Sequence, residues 1–282
     1  MASPPPPPSL RDTTLPSSLL FISVGPACAP SSSPQASLPP SKVVIIYSDV
    51  YGFASGNHRT FADSLQSSLG PSYAVLLPDL FRGCPALRPW SFLGETLGGV
   101  SGFAAMLYRL KYYWTVETML HGNIVEYLLP EISKLYPHAL LSCVGFCYGG
   151  WLVAQSLSLL PSAFACGVGI HPSLNVEQLF GRTELGLAER IGSPCLLLPA
   201  GNDSLNIKPG GSCVKVMSSK RNVSEEQCVC SFETMKHGWV TRGCGKDDEG
   251  IRKEQARALG LCKDFIMEHM DGVQDDGAAK AS

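Results

Sequence analysis

Residues 139–160 read ALLSCVGFCYGGWLVAQSLSLL, and this stretch decides the fold. An unbroken apolar run over 139–146 leads, with no loop between, into Gly145-Phe146-Cys147-Tyr148-Gly149-Gly150, and an apolar segment of helical length follows. A strand that is apolar on both faces belongs in a parallel sheet covered by helices on each side. G-x-C-x-G-G between strand and helix describes a sharp turn. Its apex residue takes strained backbone angles, and glycines two positions either side are needed because a Cβ there would strike the neighbouring strand and helix. The turn lifts the Cys147 thiol above the carboxyl ends of the strands and sets it at a helix N-terminus, where the positive dipole end favours thiolate. Glycines around a buried cysteine can also serve packing alone; the strand before and the helix after favour the nucleophile reading.

Outward from this turn, apolar runs recur at 43–47 (VVIIY), 74–77 (AVLL), 164–170 (FACGVGI), 195–200 (CLLLPA) and 228–232 (CVCSF), each predicted to be a strand. Helices are predicted at roughly 57–69, 114–136, 150–160, 213–220 and 249–270, the last with Ala258, Leu261, Cys262, Phe265 and Ile266 at helical spacing. Strands alternating with helices predict a doubly wound α/β fold, a mostly parallel central sheet with helices on both faces. The stretch 79–113, with Arg82-Gly83-Cys84-Pro85 and Gly98-Gly99, is the least regular and is expected to be a long surface excursion near the site. Residues 1–41, from MASPPPPPSL to the Pro/Ser-rich run before Lys42, are expected to form a disordered leader, residues 42–270 one globular domain and residues 271–282 a disordered tail.

Composition narrows the function. The 282 residues are 45% hydrophobic and carry a formal net charge of -2 with mixed signs, so neither a nucleic acid backbone nor an anionic membrane has a basic field to meet. Neither is expected as a partner. Eleven cysteines, an odd number set in apolar segments, read as reduced thiols and point to the cytoplasm. The Ser-rich leader makes plastid import the alternative, although only Arg11 and Lys42 supply positive charge. Cys228 and Cys230 are expected to share one face of a strand, but no second Cys or His pair lies close by, so no metal site is expected.

A thiol at such a turn needs a base, and the base needs a group to orient it. Asp203, in Gly201-Asn202-Asp203 after the strand CLLLPA, and His237, in Met235-Lys236-His237-Gly238-Trp239 after CVCSF, follow Cys147 in the chain order nucleophile, acid, histidine. Singly, each has a bland reading as a turn or loop residue; in this order, after these strands, they read as a Cys147-His237-Asp203 triad. By the geometry of such folds the oxyanion donors are the N–H of Tyr148 and the N–H of Val50, and losing one such donor costs roughly 3–4 kcal/mol.

YSDVYGF at 47–53, PDLFRG at 78–83, GFCYGG, AGNDS and KHGW together resemble the dienelactone hydrolase (carboxymethylenebutenolidase) family, and His171-Pro172-Ser173 resembles its eukaryotic branch. The resemblance spans about residues 42–270. It implies an α/β-hydrolase fold without a large lid domain, no metal or organic cofactor, a monomer, and hydrolysis of a small-molecule lactone or activated ester through an acyl thioester. Asp49 stands where the family has an acidic residue, usually Glu, that bonds the resting thiol and helps to activate it; here the carboxylate is one methylene shorter. Family arginines hold a substrate carboxylate, one of them four residues after the histidine. Arg242 lies five residues after His237, and Arg82 is a second candidate. Tyr51, Trp151 and Trp239 either line an apolar pocket or belong to the core. The rival reading is a noncatalytic redox-sensing or binding protein in which Cys147 is an oxidisable thiol; Asp203 and His237 argue against it, since a thiol sensor needs neither.

Overall fold

The computed structural model describes residues 21–24, 39–81, 111, 114–242 and 248–272. Six strands form one sheet: β1 (Phe21–Val24), β2 (Lys42–Tyr47), β3 (Tyr73–Pro78), β4 (Leu140–Phe146), β5 (Cys166–Ile170) and β6 (Cys195–Leu198). Their order is β1-β3-β2-β4-β5-β6, with β2 to β6 parallel and β1 antiparallel to β3. The chain steps from β2 outward to β3, returns past β2 to β4, and then proceeds outward on the other side. The crevice above the strand ends where the order reverses is where ligands bind in open α/β sheets.

The helices are α1 (His58–Leu69), α2 (Leu129–Leu135), α3 (Tyr148–Leu159), α4 (Glu184–Arg190), α5 (Ser212–Arg221), α6 (Trp239–Arg242) and α7 (Glu249–Asp271). Alternate residues of each strand feed two cores, as the two-residue period of a strand dictates. Val43, Ile45 and Tyr47 face the core shared with Trp151, Val153 and Leu157 of α3. Val44 and Ile46 face the core shared with Phe61 and Leu65 of α1 and Ala258, Cys262 and Ile266 of α7. The sequence prediction of a parallel sheet sandwiched by helices is what the structure shows, and among the described residues there is no lid domain.

Three differences have physical causes. The run 228–232 is not a strand: it pairs with the sheet only through the isolated parallel bridges Leu197 with Val229 and Ala200 with Phe232. With pairing confined to single bridges, the expected facing is lost, and Cys228 enters the core on the α3 side while Cys230 packs on the α7 side. The single helix predicted over 114–136 is a π-helix over Glu117–Leu128 that passes into α2. Pro130, which has no N–H to donate, stands just after the change of register. Finally, Phe21–Val24, read as part of the leader, is β1, paired Phe21 to Pro78 through Val24 to Val75. Four residues hydrogen-bonded along an existing strand satisfy their backbone without needing a large apolar surface of their own. The rest of the leader, most of the 79–113 excursion and the tail beyond residue 272 lie outside the described residues.

Candidate active site

Cys147 sits between β4 and α3 with φ 55° and ψ -114°, a positive φ that a non-glycine residue adopts only under constraint. The constraint is the close approach of three segments. A Cβ on Gly145 would lie 2.1 Å from the Gly149 carbonyl oxygen, and one on Gly149 would lie 2.2 Å from the Tyr47 carbonyl oxygen. Gly150 faces Pro172, whose Cβ would be 2.6 Å from any side chain there. The glycine spacing read from the sequence is thus demanded by contact between the start of α3, the end of β2 and the segment after β5. Only 8% of Cys147 is exposed, at the sheet's carboxyl edge.

Asp203 and His237 converge on it from the next two segments. One Asp203 carboxylate oxygen accepts the Ala200 N–H at 2.7 Å, which ties the side chain to the end of β6, and the other meets His237 Nδ1 at 2.6 Å. The histidine loop is stitched to the aspartate loop: the His237 N–H donates to Asn202 Oδ1 at 2.6 Å and the Gly201 N–H to the Met235 carbonyl at 2.9 Å. Gly201 has to be glycine, because a Cβ would lie 2.1 Å from the Glu233 carbonyl oxygen. With Nδ1 on Asp203, the far ring nitrogen is left for the sulfur, and Cys147 is near enough to help raise the pKa of His237. Burial lowers the pKa of His237, but the bonds to Asp203 and Cys147 and their charges outweigh it and raise it to about 10.

The two expected oxyanion donors lie on segments that meet at Gly149. Val50 follows β2 at the point where Gly149 presses on Tyr47 and Ser48, and Tyr148 opens α3. Among the described residues neither N–H has a protein acceptor.

Asp49 is fully buried but does not bond Cys147. One of its oxygens accepts the Tyr51 N–H at 3.0 Å; the other accepts Thr241 Oγ1 at 3.2 Å and lies 3.8 Å from Arg242 Nε. The short carboxylate is drawn to α6 rather than to the thiol. His58 completes this knot: its Nδ1 donates to the Ser55 carbonyl at 2.5 Å, and its Nε2 accepts the Asp49 N–H at 3.3 Å. Burial lowers its pKa although Asp49 opposes the shift, so the ring is neutral.

Arg242 does reach the site region. Its guanidinium lies 4.9 Å from the centre of the Tyr51 ring and its side chain is one-third exposed. Arg82 lies outside the described residues. Trp151 and Trp239 are core: Trp151 donates to the buried Glu177 carboxylate at 2.8 Å, and Trp239 packs on Phe232. The structure adds two residues that spacing could not single out. Ser173 Oγ is 3.4 Å from Cys147 Sγ, and the buried ring of His171 stands edge-on to His237 with centroids 4.8 Å apart. Burial and the neighbouring His237 and Arg242 push the pKa of His171 well down, which keeps it uncharged. No group of His, Cys, Asp and Glu among the described residues could hold a metal, and no helix there is long and apolar enough to cross a membrane.

Comparison with known proteins agrees with this architecture. Hydrolase tropI of Talaromyces stipitatus is 29% identical over 223 residues, covering 73% of this chain and 75% of that protein. The carboxymethylenebutenolidase homolog of Homo sapiens is 24% identical over 230 residues, covering 77% and 80%. A crystal structure of a dienelactone hydrolase-like promiscuous phosphotriesterase from metagenomic libraries superposes with a TM-score of 0.50 at 16% identity, over 83% of this chain and 89% of that one, which shows a shared fold. The model of the dienelactone hydrolase family matches residues 29–266, so the chain belongs to that family and is an ester or lactone hydrolase of the α/β-hydrolase fold.

Proposed function

We propose that this hydrolase cleaves a lactone or activated ester of dienelactone type by covalent catalysis, with Cys147 as nucleophile, His237 as acid and base, and Asp203 as the residue that orients the imidazole. The observation that carries the reading is the bond between His237 Nδ1 and Asp203 Oδ1 at 2.6 Å, made beside the strained turn that carries Cys147.

In this mechanism the thiolate attacks the carbonyl carbon and a C–S bond forms. The carbonyl oxygen takes up the electron pair and is held by the N–H groups of Val50 and Tyr148. Collapse breaks the C–O bond; the leaving enolate or alkoxide takes the proton from the His237 imidazolium, and an acyl thioester remains on Cys147. Acylation removes the charge on sulfur and with it part of what held His237 protonated, so the neutral ring can take a proton from water. That water attacks the thioester, the C–S bond breaks, and acid product leaves as the thiolate–imidazolium pair re-forms. Thiolates attack well near neutral pH and enols leave readily, which suits lactones of this kind.

Arg242, with its guanidinium partly exposed over Tyr51, is the candidate to receive a carboxylate on the substrate. Steady-state kinetics on cis-dienelactone and on p-nitrophenyl acetate, one with and one without that carboxylate, test the proposal. Cys147→Ala and His237→Ala are each expected to lower kcat by at least about 10³-fold on both substrates. Undiminished turnover in either variant removes the mechanism.

A further inference from the structure

The segment after β5 is aimed at the nucleophile. His171 has a positive φ of 38°, rare for a non-glycine residue, and its N–H donates to the Leu198 carbonyl at 2.9 Å. That bend carries Pro172 against Gly150 and brings the Ser173 N–H to the Cys147 carbonyl at 2.9 Å. The Ser173 carbonyl accepts the Val176 N–H at 3.0 Å and opens the turn Leu174–Phe180. That turn is anchored to α3 by the buried Glu177, which accepts from Trp151 Nε1 and from Gln155 Nε2. The hydroxyl 3.4 Å from the sulfur is therefore held from both ends of its segment.

Resting on the assignment of Cys147 as nucleophile, we infer that Ser173 is a further catalytic residue, whose hydroxyl donates a hydrogen bond to the Cys147 thiolate. Asp49 is engaged by Tyr51, Thr241 and Arg242, and the side-chain oxygen beside the sulfur is the Ser173 hydroxyl, not a carboxylate. The difference changes the chemistry. A carboxylate repels a thiolate, whereas a hydroxyl stabilises it and, when the thioester breaks, stabilises the sulfur as leaving group. Together with His237, Ser173 gives the sulfur two donors. The strain at His171, like that at Cys147, lies where backbone strain is found when it serves a site.

The test compares alkylation of Cys147 by iodoacetamide in the wild-type protein and in Ser173→Ala. A lost donor to a thiolate predicts a rate about tenfold lower at about pH 7 and a rate equal to wild type at about pH 10, well above the ordinary range for a cysteine thiol. The acyl-enzyme formed from p-nitrophenyl acetate is also expected to decay about tenfold more slowly, and Ser173→Thr, which keeps the hydroxyl, to restore both rates. Equal alkylation in Ser173→Ala and wild type at both pH values overturns the inference. So does an equal loss at both, which would mark a merely structural role. Cys147→Ala separates the two levels of the argument: if it keeps turnover, the nucleophile assignment fails, whereas an inactive Cys147→Ala beside an unaltered Ser173→Ala leaves that assignment standing and removes only Ser173.

Discussion

His237 is the residue whose environment does most to define the chemistry. Burial opposes its charge, yet Asp203 on Nδ1 and the neighbouring Cys147 raise its pKa to about 10. The sign follows: the imidazolium is favoured below that value and lost as pH rises through it. The acylation rate with an alkyl ester, whose alkoxide needs a proton to leave, measured after subtraction of spontaneous hydrolysis, is expected to fall as pH rises through about 10, because the leaving group then lacks its acid. In Asp203→Asn the same fall is expected at lower pH, since the carboxylate that sustains the charge is gone. At this scale the bond between Asp203 and His237 was legible, because the order of the apolar runs and the turns after them mark both residues along the chain. The placement of Ser173 and the knot around Asp49 were not: His171-Pro172-Ser173 stands out as a motif, but nothing in it shows that its turn aims the hydroxyl at Cys147, and His58, Thr241 and Arg242 reach Asp49 from other segments.

Among the elements, the turn Leu174–Phe180 depends on one side chain. Glu177 is fully buried and accepts from Trp151, Gln155 and Arg182, with Arg190 3.5 Å away, so its charge is balanced on every side. Removing one member of a buried charged network leaves the others without a partner. Glu177→Ala is expected to lower unfolding free energy by about 3 kcal/mol in urea titration, with the slope unchanged. The strands and most helices of this layer could be read from hydrophobic runs. The segment 228–232 could not, because a short apolar run looks the same whether it forms a ladder or makes two bridges. The π-helix over Glu117–Leu128 was hidden for a related reason: periodicity marks a helix but not the register of its hydrogen bonds.

For the whole molecule, alternation of strand and helix was sufficient to predict the sheet and its two cores, because a parallel sheet has to be covered on both faces. What composition concealed was β1, four residues in a stretch otherwise dominated by proline and serine. Backbone pairing, not side-chain content, places it beside β3. Without β1, the outer edge of β3 would present unpaired N–H and C=O groups, a template for another chain. Deleting residues 1–25 is therefore expected to increase self-association, read as a shift to larger species in sedimentation velocity, while the catalytic residues stay in place.

The same strand limits how the N-terminus can be processed. A protease that cut just before Lys42 would discard the cover of β3 along with the proline-rich segment, whereas a cut upstream of Phe21 would spare it. Any maturation of this enzyme that leaves it well behaved in solution has to respect that boundary.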